Sequence, residues 1–182
     1  MDNQDADYKE YQKLVKGKNI NPKTLLATDY LNHFNEIHML LGMVGEMPDC
    51  IEDIVEWQAI TYQEHFEHSV FQDKELAIEA YDHSPEKYRL PFEKCVLEMD
   101  NLLSETIVEV EVALKNQNID QLNLLVNDYS PKMANLIEEC SSIINSKEIT
   151  SEQAVIDDYF GDEAENDLSG ENSQYAIDAL FD

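Results

Sequence analysis

Residues 92 to 114 read FEKCVLEMDNLLSETIVEVEVAL, and this stretch decides the fold class. Its apolar side chains return at alternating steps of four and three residues, which places them on one face of an α-helix. That face carries Phe92, Val96, Met99, Leu103, Thr106, Val110 and Leu114. The pattern predicts a long amphipathic helix that starts after Pro91 and packs this face against other helices.

Three further segments show helical periodicity, and they cover residues 22 to 44, 49 to 71 and 119 to 143. Pro22 suits the first position of the first helix. Asp73 can cap a short continuation of the second helix. In the last helix, we expect Pro131 to cause a kink or to restart the helix behind a Ser130 cap.

Four amphipathic helices with short connections predict an all-α fold, namely an antiparallel four-helix bundle over residues 22 to 149. A helical hairpin that completes its core by forming a homodimer is the alternative. Five glycines and five prolines are too few for a turn-rich β-fold. Residues 1 to 21 are polar and predict an N-terminal arm, either a short peripheral helix or a frayed segment with little function.

The chain is strongly acidic, with 39 Asp and Glu against 12 Lys and Arg and a net charge of −27. Nucleic acid is an improbable ligand because a phosphate backbone requires clustered cations. The same repulsion argues against anionic membranes. A solvated, soluble surface explains the charge most simply, and attraction to a basic patch on a protein partner is the functional alternative.

The three cysteines are too few and too widely spaced for a disulfide framework or a CxxC metal site. They predict reduced core residues, at Cys50, Cys95 and Cys140. The sequence opens without an apolar signal segment, and it has no apolar run of the roughly 20 residues that a membrane span needs. We therefore expect a cytoplasmic protein.

Residues 150 to 182 contain ten acidic and no basic side chains, which predicts a disordered acidic tail. Two segments in it share the pattern Q-x-x-I-D-x-x-F, offset by 21 residues: QAVIDDYF at 153 to 160 and QYAIDALF at 174 to 181. Ile and Phe stand four residues apart, on one side of a helical turn, so each segment suits a peptide that folds into a partner's groove. The candidate binding residues are Gln153, Ile156, Asp157, Phe160, Gln174, Ile177, Asp178, Leu180 and Phe181.

The final copy, SQYAIDALF at 173 to 181, resembles the S-Q-x-x-I-D-A-L-L peptide of the flagellar switch protein FliM, which binds the response regulator CheY. The layout is also similar to the chemotaxis phosphatase CheZ, which joins a helical bundle to an acidic linker and a C-terminal peptide. The resemblance implies a CheY-like receiver as partner, with Ile177, Leu180 and Phe181 as buried anchors and Asp178 as the charged contact. The helical segments do not match the phosphatase sequence, so that activity is not carried over.

A second resemblance concerns HMLLG at residues 38 to 42, which is similar to the H-x-L-K-G core of histidine phosphotransfer domains. It implies His38 as an alternative phosphoacceptor on a helical bundle. The lysine of that pattern, which helps to neutralise phosphate, is replaced here by Leu41. A partly buried histidine without catalytic function is the simpler interpretation.

The sequence gives less support to a metal site or to another kind of catalytic site. The remaining histidines, with Glu64 and Glu67, supply ligand atoms but lack the repeated Glu-x-x-His of a di-iron bundle. They are His33, His65, His68 and His83. With glycine at only five positions, neither a P-loop nor a dinucleotide fingerprint can be drawn. We expect no metal, no cofactor and no enzymatic activity.

These observations favour a helical adaptor that docks a receiver-type partner in two-component or chemotaxis signalling through its tail motifs. The alternatives are a phosphotransfer protein that uses His38 and a structural helical bundle with an inert, solubilising tail.

Overall fold

The computed structural model describes residues 3 to 146, which we call the helical body. Within this range the secondary structure consists of helices and connections without a strand, which confirms the predicted all-α class. The α-helices are α1 Asn3–Leu14, α2 Asn32–Met43, α3 Ile51–Glu56, α4 Tyr62–His68, α5 Lys74–Asp82, α6 Glu86–Lys115 and α7 Ile119–Ile144. Two short 3-10 helices, Thr28–Leu31 and Pro48–Cys50, precede α2 and α3.

Helices α6 and α7 form a hairpin joined by three residues, and the thiol of Cys95 early in α6 lies 3.3 Å from the carbonyl oxygen of Leu136 late in α7. The turn is tight because Gln117 adopts φ +54° while the next amide, of Asn118, donates to the carbonyl of Ala113. The predicted apolar face of α6 is confirmed. Its buried members are Phe92, Met99, Leu103, Thr106 and Val110.

Proline does not bound these two helices as the sequence predicted. Helix α6 begins at Glu86 and continues through Pro91, so the expected start after Pro91 is wrong. Pro85 occupies the position before the helix, where its fixed φ and its lack of an amide hydrogen cost nothing. Helix α7 also continues through Pro131, so no new helix starts behind Ser130.

The first predicted helix, over residues 22 to 44, is wrong in its first half. The side chain of Asn21 accepts hydrogen bonds from the amides of Lys23 and Thr24, which folds the chain into a turn. Leu25 then takes φ +58°, and it is completely buried together with Leu26. The apolar spacing here therefore reflects a buried turn, and the regular helix begins only at α2.

The second predicted helix, over residues 49 to 71, is also wrong, because it is split by an extended segment. Trp57 has ψ 138° and ends α3. Thr61 starts α4 with a capping box, in which its hydroxyl accepts from the amide of Glu64 and the Glu64 carboxylate accepts from the Thr61 amide. The predicted continuation forms as α5, although Asp73 does not cap it and instead pairs with Lys18 at 2.6 Å.

The N-terminal arm forms helix α1 and contributes to the core, since Val15 is completely buried and Ile20 is 2% exposed. In place of four long helices, the body thus has two long helices and five that do not exceed 12 residues. None of the helices within residues 3 to 146 is both long and apolar enough to cross a bilayer. The tail motifs at 153 to 160 and 174 to 181 lie outside the described residues.

Candidate functional site

His38, the alternative phosphoacceptor, lies on α2 with its ring half-buried against α7. Its ring centroid is 5.5 Å from that of Tyr129, and its Nδ1 is buried without a hydrogen-bond partner among the described residues. Burial lowers the pKa of His38, and no charged neighbour contributes to that shift. Because phosphoryl transfer needs positive charge near the acceptor, this apolar setting gives His38 little support for such a role.

His33 and His65 meet in a second cluster, between α2, α3 and α4. The His33 ring stacks on Trp57 with centroids 5.2 Å apart, and its centroid lies 6.4 Å from that of His65. His65 Nε2 lies 3.3 Å from a carboxylate oxygen of Asp29. Burial, and secondly the charge of His65, lower the pKa of His33 to about 4. His33 is therefore neutral at physiological pH.

The other two histidines lie elsewhere. His68 contacts the carbonyl oxygen of Glu64 through Nδ1 at 2.8 Å, and His83 stacks on Tyr11 with centroids 4.3 Å apart. The candidate metal ligands are thus distributed over three places. No group of three or more His, Cys, Asp or Glu side chains within the helical body is placed to hold a metal ion.

The cysteines lie in the core, as the sequence predicted, and all three are free and buried. Cys95 and Cys140 face each other across the hairpin of α6 and α7. A hydrogen bond between their thiols, together with burial, raises the pKa of Cys140. The Cys140 thiol is therefore protonated and poorly nucleophilic at neutral pH.

The sequence did not predict a groove between α4, α5 and α6, which we call the aromatic groove. Its volume is about 400 Å³, within the range of ligand sites, and its accessible surface is mostly apolar. The aromatic side chains that line it are Tyr30, Tyr62, Tyr81 and Phe92. The rings of Tyr62 and Tyr81 stack with centroids 4.7 Å apart, which gives the groove a rigid wall.

The tyrosine hydroxyls in the aromatic groove already have partners. The Tyr30 hydroxyl donates to the carbonyl of Ile60 at 2.9 Å, and the Tyr62 hydroxyl accepts from the amide of Ala27 at 2.9 Å. The Tyr81 hydroxyl donates to Glu93 at 2.9 Å. These hydroxyls are therefore satisfied within the fold, and the rings of Tyr30, Tyr62 and Phe92 are buried, with at most 3% of each residue exposed.

Asp100 is the exception among the polar groups of the aromatic groove. Its Oδ1 is buried and has no hydrogen-bond partner within the described part of the chain. Burial raises the pKa of Asp100 to about 6. The signal available in the sequence was the position of this carboxylate, directly after Met99 and four residues after Val96 on the apolar face of α6.

The predicted tail residues cannot be placed relative to these features, because positions 153 to 160 and 174 to 181 lie beyond the described range. Comparison with known proteins gives no relative: no family model matches the chain, and no curated protein or solved structure matches it either.

Proposed function

We propose that this protein is a protein-binding adaptor that docks a CheY-like receiver through the repeated peptide of its C-terminal segment. The observation that carries the proposal is the recurrence of Q-x-x-I-D-x-x-F at residues 153 to 160 and 174 to 181. A spacer that only solubilises a protein has no reason to repeat the same apolar and acidic positions. A docking peptide has a reason to repeat them, because each copy must present the same anchor residues.

The spacing within each copy suits a helix that folds on binding. Ile177 and Phe181 lie four residues apart, so that they share one face of a helical turn, and Leu180 lies beside them. Asp178 is adjacent in sequence and supplies the charged contact. The upstream copy has Asp158 and Tyr159 at the positions of Ala179 and Leu180, so we expect it to bind more weakly.

Two copies on one chain favour tethered binding. Once one copy docks, a flexible linker holds the other at an effective concentration of about the millimolar range. Weak individual peptides would then be sufficient to retain a partner. In this proposal the residues from 150 onward act as the acidic, flexible linker, and the helices up to 149 act as an antiparallel bundle that supplies a second contact or a dimer interface.

The helical body is consistent with an adaptor in two respects. The setting of His38 favours a packing role over phosphoryl transfer, because its ring lies against Tyr129 and burial lowers its pKa. His33 and His65 lie near each other, but no group of three or more potential metal ligands occurs among the residues that the structure describes. Signalling through a bound partner requires neither feature.

An affinity purification from bacterial lysate tests this function, with the full chain as bait and retained proteins identified by mass spectrometry. We expect a receiver-domain protein on the wild-type chain and its loss from an Ile177→Ala/Phe181→Ala variant. The matched control is His38→Gln, which should retain the same protein. Equal recovery by all three baits, or recovery that depends on His38 alone, would contradict the proposal.

A further inference from the structure

The side of α6 that faces away from the core carries an exposed apolar stripe. Leu90 is 56% exposed, Leu97 59%, Val108 61% and Val112 50%. These positions follow one another at steps of seven, eleven and four residues, which return to one side of an α-helix. The four side chains therefore form one continuous line along the helix, opposite its buried face.

The residues between these apolar side chains on the same side of α6 are polar but not acidic. They are Lys94, Asn101 and Ser104, and all three are exposed. We call the seven positions together the outer face of α6. In a chain with 39 Asp and Glu, a long exposed face with an apolar centre and no carboxylate is unusual, and depletion of charge at the centre is typical of protein interfaces.

Carboxylates border the outer face on both sides. By helical spacing, they are Glu98, Glu105 and Glu109 along one side and Glu93 and Glu111 along the other. Glu98 pairs with Lys94 at 3.5 Å. Glu105 and Glu109 are exposed and form no ion pair within residues 3 to 146. A partner with cations beside an apolar surface would complement this arrangement.

The C-terminal end of the outer face opens into a cleft between α6 and α7. The cleft has a volume of about 240 Å³ and a mostly apolar accessible surface. Val108 and Val112 line it from α6, and Leu125 lines it from α7. Because both valines are at least half exposed, this apolar surface is accessible from solvent. An apolar side chain of a partner can therefore enter the cleft.

The shape of the outer face favours a helix as the bound element. Leu90 and Val112 are six helical turns apart, which is about 33 Å along the axis of α6. A straight apolar line of this length matches the apolar side of an amphipathic helix of about 20 residues. An extended peptide would instead seek a free sheet edge, and the described chain contains no strand.

A second copy of this chain is a poor occupant of the outer face. Two outer faces brought together would place their carboxylate borders side by side, and each chain has a net charge of −27. A basic helix of another protein would be attracted by the same charges.

We propose that the outer face of α6 binds an amphipathic helix of a partner protein that carries Lys or Arg beside its apolar side. The apolar stripe contacts the apolar side of that helix, and the cleft at Val108 and Val112 receives one of its side chains. Glu105 and Glu109 pair with its cations. The surface does not include the C-terminal motifs, so it goes beyond the proposed docking of a receiver.

The test is an NMR titration of the ¹⁵N-labelled full chain with a synthetic peptide of three Leu-Lys-Ala-Leu-Ala-Lys-Lys heptads, which places leucine on one side of a helix. We expect saturable shifts of the backbone amides around Leu97, Val108 and Leu125. The control peptide has the same composition in an order that spreads leucine around the helix, and it should bind at least about tenfold more weakly. Equal binding of the two peptides would show attraction by charge alone and would overturn the proposal.

Matched variants locate the contact. Leu97→Ala/Val108→Ala should weaken the amphipathic peptide about tenfold, because it removes apolar area from the outer face. Leu124→Ala/Val70→Ala removes one leucine and one valine that are more exposed but lie outside this face, and it should leave binding unchanged. Equal effects of the two double substitutions would refute the proposal.

A second pair of variants tests the charged border. Glu105→Gln/Glu109→Gln should weaken the peptide about threefold, and Glu138→Gln/Glu139→Gln, which removes equal charge from exposed positions of α7, should have a smaller effect. An equal effect of the two pairs would contradict the assigned ion pairs.

Sedimentation of the wild-type chain tests the competing occupant. We expect a monomer, and a dimer that Leu97→Ala/Val108→Ala dissociates would show that a second copy covers the outer face, which would refute the proposal. Ile177→Ala/Phe181→Ala should bind the amphipathic peptide like the wild-type chain, so failure of this inference and failure of the receiver docking are distinguishable.

Discussion

Burial shifts the pKa in opposite directions at two places in the helical body. One is the histidine cluster around His33, and the other is the aromatic groove around Asp100. Both groups are half-buried beside aromatic rings, and in both burial is the main cause of the pKa shift. For His33 burial lowers the pKa to about 4, and for Asp100 burial raises the pKa to about 6. Desolvation disfavours the charged form of either group. A fall in pH therefore lowers the stability of the fold through His33 and raises it through Asp100.

Replacement of His33 should have the largest effect. The unfolded chain binds a proton near pH 6.5 and the folded chain only near pH 4, so the contribution of His33 to stability is lost as pH falls between these values. In His33→Phe this loss should be absent. The difference in unfolding free energy between pH 7 and pH 4.5 should shrink by about 1 to 2 kcal/mol, discounted because solvent screens the partly exposed ring.

Urea unfolding followed by circular dichroism at both pH values measures the difference. His68→Phe, which makes the same substitution at an exposed histidine, is the matched control. An unchanged pH dependence in His33→Phe would show that the neutral state of His33 does not matter for folding.

The second change removes the charge of Asp100. The folded state holds its proton up to about pH 6 and the unfolded state only to about 3.8, so the carboxylate costs stability as pH rises through this window. Asp100→Asn should therefore raise the free energy of unfolding by about 1 to 2 kcal/mol at pH 7.5, after a discount for partial exposure, with little change at pH 4. Thermal and urea unfolding at the two pH values test this, and a variant less stable than wild type at pH 7.5 would count against an uncompensated charge.

Tyr129 is an uncharged counterpart of His33 and Asp100. The hydroxyl of Tyr129 is buried without a hydrogen-bond partner in the described structure, and the whole residue is 1% exposed. Tyr129→Phe should stabilise the fold by about 1 kcal/mol, because it removes a desolvated polar group. The gain should be the same at pH 4.5 and pH 7.5, since no proton is exchanged. Destabilisation at both pH values would indicate that the hydroxyl has a partner in solution.

The smallest expected effect comes from His65. Its charge is the second cause of the lowered pKa of His33, after burial. In His65→Gln the pKa of His33, followed by NMR of the ring protons, should rise, but by less than burial lowers it. A larger rise would mean that the charge of the neighbour, and not desolvation, dominates the histidine cluster.

The sequence predicted the α6 and α7 hairpin well and the region before it poorly. In α6 the buried residues recur at the four- and three-residue steps of one helix face, so spacing identifies the buried face. Residues 22 to 71 are also apolar at helical intervals, but the turn at Asn21 and the extended segment after Trp57 interrupt the helices. The T-x-x-E capping box at Thr61 was a local signal for the second interruption.

The two candidate sites also differ in whether the sequence predicts them. The peptide repeat of the tail is visible in the sequence because its spacing is local. The aromatic groove is not, because Tyr30, Tyr62, Tyr81 and Phe92 come from four separate helical segments that only tertiary packing brings together. The carboxylate of Asp100, directly after Met99 on the apolar face of α6, is the trace that this site leaves in the sequence.

The most direct test of the proposed function is a calorimetric titration of the full chain with a purified CheY-like receiver domain. We predict saturable binding that is abolished by Ile177→Ala/Phe181→Ala, weakened less by Ile156→Ala/Phe160→Ala and unchanged by Asp100→Asn. Absence of binding to the wild-type chain, or binding that survives both double substitutions, would contradict docking through the C-terminal motifs.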